Sequence, residues 1–288
     1  MDKMIRGTAG NIRFFIATST RLVEEARRRH NTLPTATAAL GRLLTGALLM
    51  GYNLKNEELI TLRLDGDGIL GPALATANSA GEVRGYVSNP NAHLPVTAAG
   101  KLDVGGAVGQ GNLYVLRDLG LKDRYESTTS LFSGEIGDDL AKYYLESEQI
   151  PTAVGLGVLV DTDNSALAAG GFIVQAMPGA TEEELSALEL NIAAMEPVSS
   201  LVQQGKAAED IAAILLKSIP FSILDERPIS FHCNCSKERF LWILDGLARE
   251  ELNDLASDEK GIDIHCHFCG EDYHFTKEEI EDVAIKKA

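Results

Sequence analysis

Cysteine occurs at four positions of this 288-residue chain, all in its last quarter: Cys233-Asn234-Cys235, then, beyond the run from Ser236 to His265, Cys266-His267-Phe268-Cys269. Two short thiol pairs joined by one folded loop suit a tetrahedral Zn²⁺ site, because each pair can fill two corners with little strain in the chain. Competing readings of the same residues are weaker. Disulfide-stapled domains are short and dense in cysteine, whereas four thiols in 288 residues are sparse. A thioredoxin-like pair needs its Cys-x-x-Cys beside a strand-helix-strand pattern, and it leaves the first pair without a role. The expected cofactor is therefore Zn²⁺, one ion per chain, with Cys233, Cys235, Cys266 and Cys269 as candidate ligands.

Four of the six histidines, His232, His265, His267 and His274, lie beside or just beyond these cysteines, and any of them could replace a thiolate. Four cysteines already close a structural site, so all-cysteine ligation is favoured and the histidines read as flanking residues. His30 and His93 stand alone and read as surface or capping residues. A thiolate is also the nucleophile that oxidants attack, so the cluster can be a permanent staple or a redox sensor. Spacing leaves both open.

The elements that must position these thiols follow from the rest of the chain. Apolar residues make up 45% and charged residues 24%, the proportions of a globular protein with a real core. Forty-two acidic against 26 basic side chains give a net charge of -16, a field that repels phosphate backbones and anionic membranes. The cysteine segment shares that sign, through Glu250, Glu251, Asp254, Asp258, Glu259, Asp263, Glu271 and Asp272 among others, unlike a zinc module that grips nucleic acid. The first residues lack the apolar stretch of a secretory signal, and the most apolar run, Ala36 to Tyr52, is cut by Gly41, Arg42 and Gly46 as in a buried helix. A cytoplasmic protein, with neither nucleic acid nor membrane as partner, is expected.

The pattern predicts an α+β chain of three parts: an N-terminal α/β domain with a strand-rich core over 1–179, a helical linker over 180–228, and a small C-terminal zinc-binding domain over 229–288. In the first part, strands are expected at Asn11 to Thr18, Leu59 to Leu64, Leu74 to Asn78, Val83 to Ser88, Asn112 to Arg117, Ala153 to Val160 and Gly171 to Gln175. Helices are expected at Thr20 to Arg29, Thr35 to Met50 and Gly134 to Leu145. Gly109-Gln110-Gly111 lacks the third glycine and the following helix of a dinucleotide fingerprint, and reads as a hairpin turn. Neither a nucleophile-base constellation nor a metalloprotease helix is apparent, so an enzyme is not expected.

From Ala180 to about Pro228 the pattern is helical, with no strand signal. Thr181 and Glu184 form a capping box ahead of Leu185, Leu188, Ile192 and Met195 on one face, and Ala208 to Ser218 carries Ile211, Ile214 and Leu215. Such helices cannot bury their apolar faces alone and must dock on the first domain or on a partner. The final segment carries a helix from Ser236 to Leu247 and another from Lys277, capped by Thr276 and Glu279. It is too short to fold on core burial alone, and structural zinc, at roughly 10 to 16 kcal/mol in small modules, would supply the difference.

Several runs carry a resemblance to a known family: Cys233-Asn234-Cys235 with Ser236-Lys237-Glu238-Arg239, Cys266 to Cys269 with Gly270-Glu271-Asp272-Tyr273-His274-Phe275, and Ser133-Gly134-Glu135-Ile136 through Ser147-Glu148-Gln149-Ile150-Pro151. In these runs the chain resembles, over essentially its whole length, the bacterial redox-regulated heat-shock holdases, the 33 kDa heat-shock protein family. It departs at Arg124-Tyr125-Glu126-Ser127, where the family often has a proline-tyrosine pair and a glycine. The resemblance implies an ATP-independent chaperone for unfolding client proteins, inactive while reduced and zinc-bound, and a homodimer when oxidised. It further implies zinc ligation by Cys233, Cys235, Cys266 and Cys269, redox-active disulfides Cys233–Cys235 and Cys266–Cys269 on oxidation, and a metastable middle segment at Ala180 to Pro228. The alternative from the residues themselves is a zinc-ribbon module binding a protein or nucleic acid, and a thiol-disulfide oxidoreductase stands third.

Overall fold

The computed structural model describes residues 2–121 and 124–285; Met1, Lys122, Asp123 and residues 286–288, which close the expected C-terminal domain, lie outside the described residues. Its contacts divide the chain into two units, Met1–His232 and Cys233–Ala288.

The first unit opens with a hairpin, β1 (Lys3–Ala9) and β2 (Ile12–Thr18), followed by helices α1 (Thr20–His30) and α2 (Pro34–Gly51). A meander follows, β3 (Leu59–Gly66), β4 (Ala73–Asn78) and β5 (Glu82–Val87), then α3 (Val104–Val108), β6 (Gly111–Asp118) and β7 (Tyr125–Ser130). Next come α4 (Gly137–Tyr143), running into one π-helical turn at Tyr144–Glu148, and the long strands β8 (Thr152–Val160) and β9 (Ala166–Ala176). The unit closes with α5 (Glu182–Ala194), α6 (Val198–Gln203), α7 (Ala208–Leu215), β10 (Ser222–Pro228) and β11 (Ser230–Phe231).

These strands form two sheets. The first has the order β10-β1-β2-β9-β8 and is antiparallel throughout. The second has the order β11-β5-β4-β3-β6-β7, antiparallel except where β11 lies parallel to β5. Helix α2 packs on strands of both sheets. Its sequence is apolar or small all round, and every residue from Thr35 to Gly51 except Arg42 is buried, as expected of a central helix rather than a surface one. Arg42 leaves the core by pairing with Glu135.

Strand side chains alternate between faces, so the first sheet can be sorted by residue parity. Met4, Phe15, Ala17, Ala169 and Ile173 join the core built on α2. Their neighbours Ile5, Phe14, Ile16, Phe172 and Val174 point the other way, onto Leu188, Val198, Leu201, Ile211, Ala212 and Leu215 of α5, α6 and α7. The helices expected to need a docking surface thus find it on the first sheet. The stripe on α5 is thinner than its sequence suggests, with Leu188 buried and Ile192 and Met195 only partly covered. Close approach of α6 depends on Gly157: a Cβ there would lie 2.9 Å from the Ser199 nitrogen.

Three expectations are corrected. The stretch from Ala180 to Pro228 is not free of strand, since β10 pairs with β1 from Lys3↔Pro228 to Thr8↔Ser222. Its side chains are mostly exposed, so its sequence carries no apolar alternation and the pairing rests on the main chain. Gly109-Gln110-Gly111 is a helix-to-strand link between α3 and β6 rather than a hairpin turn. The helix expected at Gly134 to Leu145 is regular only from Gly137 to Tyr143, because its entry is tied down by Asp139, which accepts from the backbone nitrogens of Phe132, Ser133, Gly134 and Ile136.

The second unit contains α8 (Lys237–Leu244), α9 (Arg249–Leu255), a hairpin of β12 (Ile262–His265) and β13 (Asp272–Phe275), and α10 (Lys277–Ile285). Its buried apolar residues are Leu244, Leu252, Ala256, Phe275, Ile280, Val283 and Ala284, a small core for a segment of this length. The expected box at α10 forms: Glu279 accepts from the Thr276 nitrogen at 2.9 Å, and Thr276 accepts from the Glu279 nitrogen at 3.4 Å.

Candidate metal centre

Both cysteine pairs lie at the ends of regular elements of the second unit. Cys233 and Cys235 precede α8, whose first turn is capped by Ser236, its hydroxyl accepting from the Arg239 nitrogen at 3.2 Å. Cys266 follows β12, and the turn between the hairpin strands carries Cys269. The Cys266 carbonyl accepts from the nitrogens of Cys269 (3.2 Å) and Gly270 (2.8 Å), while the Cys266 nitrogen donates to the Glu271 carbonyl at 2.9 Å. Gly270 sits at φ 75°, a left-handed conformation that glycine adopts without strain and that lets the turn close with both thiols on one side.

The four Sγ atoms lie within 4.8 Å of one another, and all four thiols are free. Cys266 and Cys269 are buried, Cys233 and Cys235 half-buried. Ligand bonds of about 2.3 Å around Zn²⁺ put tetrahedral sulphurs about 3.8 Å apart. Cys233 and Cys266 stand at 3.8 Å and Cys235 and Cys269 at 3.2 Å, so the donor set fits a soft tetrahedral cation. Among the described residues this metal-competent group includes the four cysteines and no histidine.

The electrostatics of the thiols differ. Burial pushes the Cys233 thiol up, and burial with donation to neighbouring sulphurs pushes Cys269 up further. At Cys235 burial acts in the same direction, but hydrogen bonds from Tyr273 and the other thiols outweigh it and the group is lowered. The Tyr273 hydroxyl lies 3.2 Å from Cys235 Sγ and 3.3 Å from the Cys235 carbonyl oxygen, and that engagement holds its own proton tightly.

The flanking histidines are otherwise engaged. His265 Nδ1 lies 2.7 Å from Asp272 and His274 Nδ1 lies 2.8 Å from Asp263, both as directly opposed pairs of the β12–β13 ladder. His267 is exposed with its ring 5.3 Å from that of His265, and His232 falls in the first unit. Tyr273 was missed as a site residue because a lone tyrosine in a strand reads as packing. Its place in the run just after Cys269 was the available signal.

The family follows from comparison with known proteins. A family model described as "Hsp33 protein" matches residues 2–276. The chain belongs to the Hsp33 family. It is 49% identical over 284 residues to a 33 kDa chaperonin of Desulforamulus reducens, covering 98% of this chain and 97% of that one. It is 46% identical to a 33 kDa chaperonin of Bacillus velezensis, covering 98% of each. The fold superposes with a TM-score of 0.92 on the crystal structure of the 33 kDa chaperonin (Hsp33 homologue) of Thermotoga maritima, at 38% identity over 99% of this chain and 98% of the other. The Hsp33 membership, the mixed fold and the four-cysteine cluster agree with the resemblance noted in the sequence. Among the described residues no helix is long and apolar enough to cross a membrane.

Proposed function

We propose that this chain is a cytoplasmic, redox-regulated and ATP-independent holdase, not an enzyme, whose cysteine cluster controls access to the outer face of the first sheet. The observation that carries this reading is the gathering of four free thiols within 4.8 Å in a unit with a small core. Cys233, Cys235, Cys266 and Cys269 would hold one Zn²⁺, which when bound keeps the thiolates deprotonated and ties the β12–β13 turn to the chain entering α8.

Oxidation by a peroxide removes that ligand set. Each thiolate pair gives up two electrons to form one S–S bond, and one hydrogen peroxide takes them up with two protons from solvent as its O–O bond breaks to give two waters. The resemblance assigns the bonds to Cys233–Cys235 and Cys266–Cys269. The short sulphur separations, Cys233 to Cys266 and Cys235 to Cys269, run between the pairs instead. Bonding within pairs therefore lets the two cysteine segments part, which removes the staple from a unit too small to hold without one.

Only Ile229 to His232 separate β10 from Cys233, so once the second unit unfolds the end of the segment that carries α5, α6, α7 and β10 is held there by the two-residue β11 on β5 and by buried Ile229, a short tether. Undocking uncovers Ile5, Phe14, Ile16, Phe172 and Val174, a contiguous apolar face of the kind that unfolding clients bind. A homodimer in the oxidised state belongs to the same reading. The test is an aggregation assay on a heat-denatured client without ATP, with reduced and oxidised protein side by side and zinc measured in parallel. Oxidised protein is expected to suppress aggregation after releasing about one zinc per chain. Equal suppression by the reduced form, or no zinc release, defeats the switch.

A further inference from the structure

The edge strand β10, the last in sequence of the first sheet, is held to it in an unusual way. β10 is an edge strand whose side chains contribute little: Ile223 is 40% and Leu224 60% exposed, and only Asp225 and Arg227 are half-buried. Its hold on β1 comes from the main-chain ladder between Lys3–Thr8 and Ser222–Pro228, interrupted by a register shift at Arg6/Gly7. Few anchors assist it. The Arg227 guanidinium lies 4.0 Å over the Tyr52 ring and donates to the Tyr52 and Ser79 carbonyls, and Lys3 pairs with Glu226 at 3.0 Å. Just before the strand, Phe221 meets Phe14 edge-on at 5.9 Å between ring centres, covering one end of the outer apolar face.

If the segment leaves the sheet, β1 is left with a row of unpaired N–H and C=O groups beside an uncovered apolar face, and both call for an extended chain. We infer that an extended segment of a non-native client takes the place of β10, adding to β1 as a replacement strand with alternate side chains laid on the face formed by Ile5, Phe14 and Ile16. This rests on the holdase reading above and names how that surface recognises its clients. Main-chain pairing is blind to sequence, which suits a protein that must hold many clients, and the period of two selects segments of alternating apolar character over helical ones. β10 shows the geometry such a segment would adopt.

Amide hydrogen exchange on the full-length protein tests this. In the reduced form the Lys3–Thr8 amides directed at β10 are expected to be protected, and on oxidation to exchange roughly tenfold faster or more while the β2–β9 ladder is unchanged. A short peptide of alternating apolar and polar residues should restore their protection. The same peptide with alternate amides N-methylated should not, and it should not compete with a denatured client in the aggregation assay. Three results overturn the inference: β1 amides that stay exposed while a client is held, equal competition by the N-methylated peptide, or protection that returns with protein concentration alone, which assigns the edge to a second copy. In each of these the holdase reading survives. If oxidised protein suppresses no aggregation, both fall together.

Discussion

The first sheet is apolar on both faces, and its two covers are built differently. On the inner face lies α2, one 18-residue helix buried from Thr35 to Gly51 except at Arg42, with a second sheet packed beyond it. On the outer face lie α5, α6 and α7, of 13, 6 and 8 residues. On α5 full burial is confined to Leu188, and Leu190 is 72% exposed. Helices this short are not stable alone in water, so the outer cover is helical only while docked. Each buried aliphatic side chain contributes roughly 1.5–3 kcal/mol, while fixing each backbone residue costs about 1–2 kcal/mol. A thin stripe on three short helices leaves a small surplus, whereas a helix buried all round leaves a large one. One sheet thus carries a firmly held cover on one face and a lightly held one on the other.

The largest expected effect breaks the inner cover. Leu44→Ala, at a fully buried position of α2, should destabilise the whole first unit by about 2–5 kcal/mol, read as a lower urea midpoint. Leu188→Glu attacks the outer cover instead. It removes roughly 1.5–3 kcal/mol of burial and, because α5 can lift away, should leave the urea midpoint of the sheet core nearly unchanged. The reduced variant should suppress client aggregation and be cleaved faster by protease between residues 180 and 220. If the midpoint drops as far as in Leu44→Ala, the two covers form one cooperative structure and the contrast fails.

The same contrast explains what the sequence disclosed. The inner cover was legible because its signal is local: Pro34 opens a long apolar run that can only be a buried helix. The cysteine spacing was legible because a tetrahedral donor set needs little beyond two short pairs. β10 and β7 were not, since their edge-strand side chains are largely exposed and, for β10, the pairing partner β1 lies at the other end of the first unit's sequence. The six residues of α6 lie between Pro197 and Gln204, too short a run for helical periodicity to show. Tyr273 was hidden for another reason: its relation to Cys235 exists only once the β12–β13 hairpin is folded.

Two smaller substitutions probe how lightly the outer cover is held. Gly157→Ala places a Cβ 2.9 Å from the Ser199 nitrogen and 3.0 Å from the Ser199 Cβ and Oγ. A backbone atom cannot rotate away, so α6 must rise, at about 1–3 kcal/mol, with partial holdase activity in the reduced form and no change in the exchange of α2 amides. Equal activity to the unaltered protein, with α6 amides equally protected, would mean that the strand rather than the helix yields.

Thr181→Ala should act more weakly still, and it separates the covers most cleanly. The Thr181 hydroxyl accepts from the Glu184 nitrogen at 3.2 Å, and Glu184 accepts from the Thr181 nitrogen at 2.9 Å, closing a reciprocal box on α5. Helix α2 has the apolar Leu33 at the same position and forms regardless, because burial rather than capping holds it. Removing the box costs about 1 kcal/mol, enough to raise the open population of α5 roughly fivefold. Exchange of α5 amides should quicken by that factor while α2 amides keep their rate. Were both sets to quicken together, opening of the outer face would be part of global unfolding, and the division of labour between the two faces would be lost.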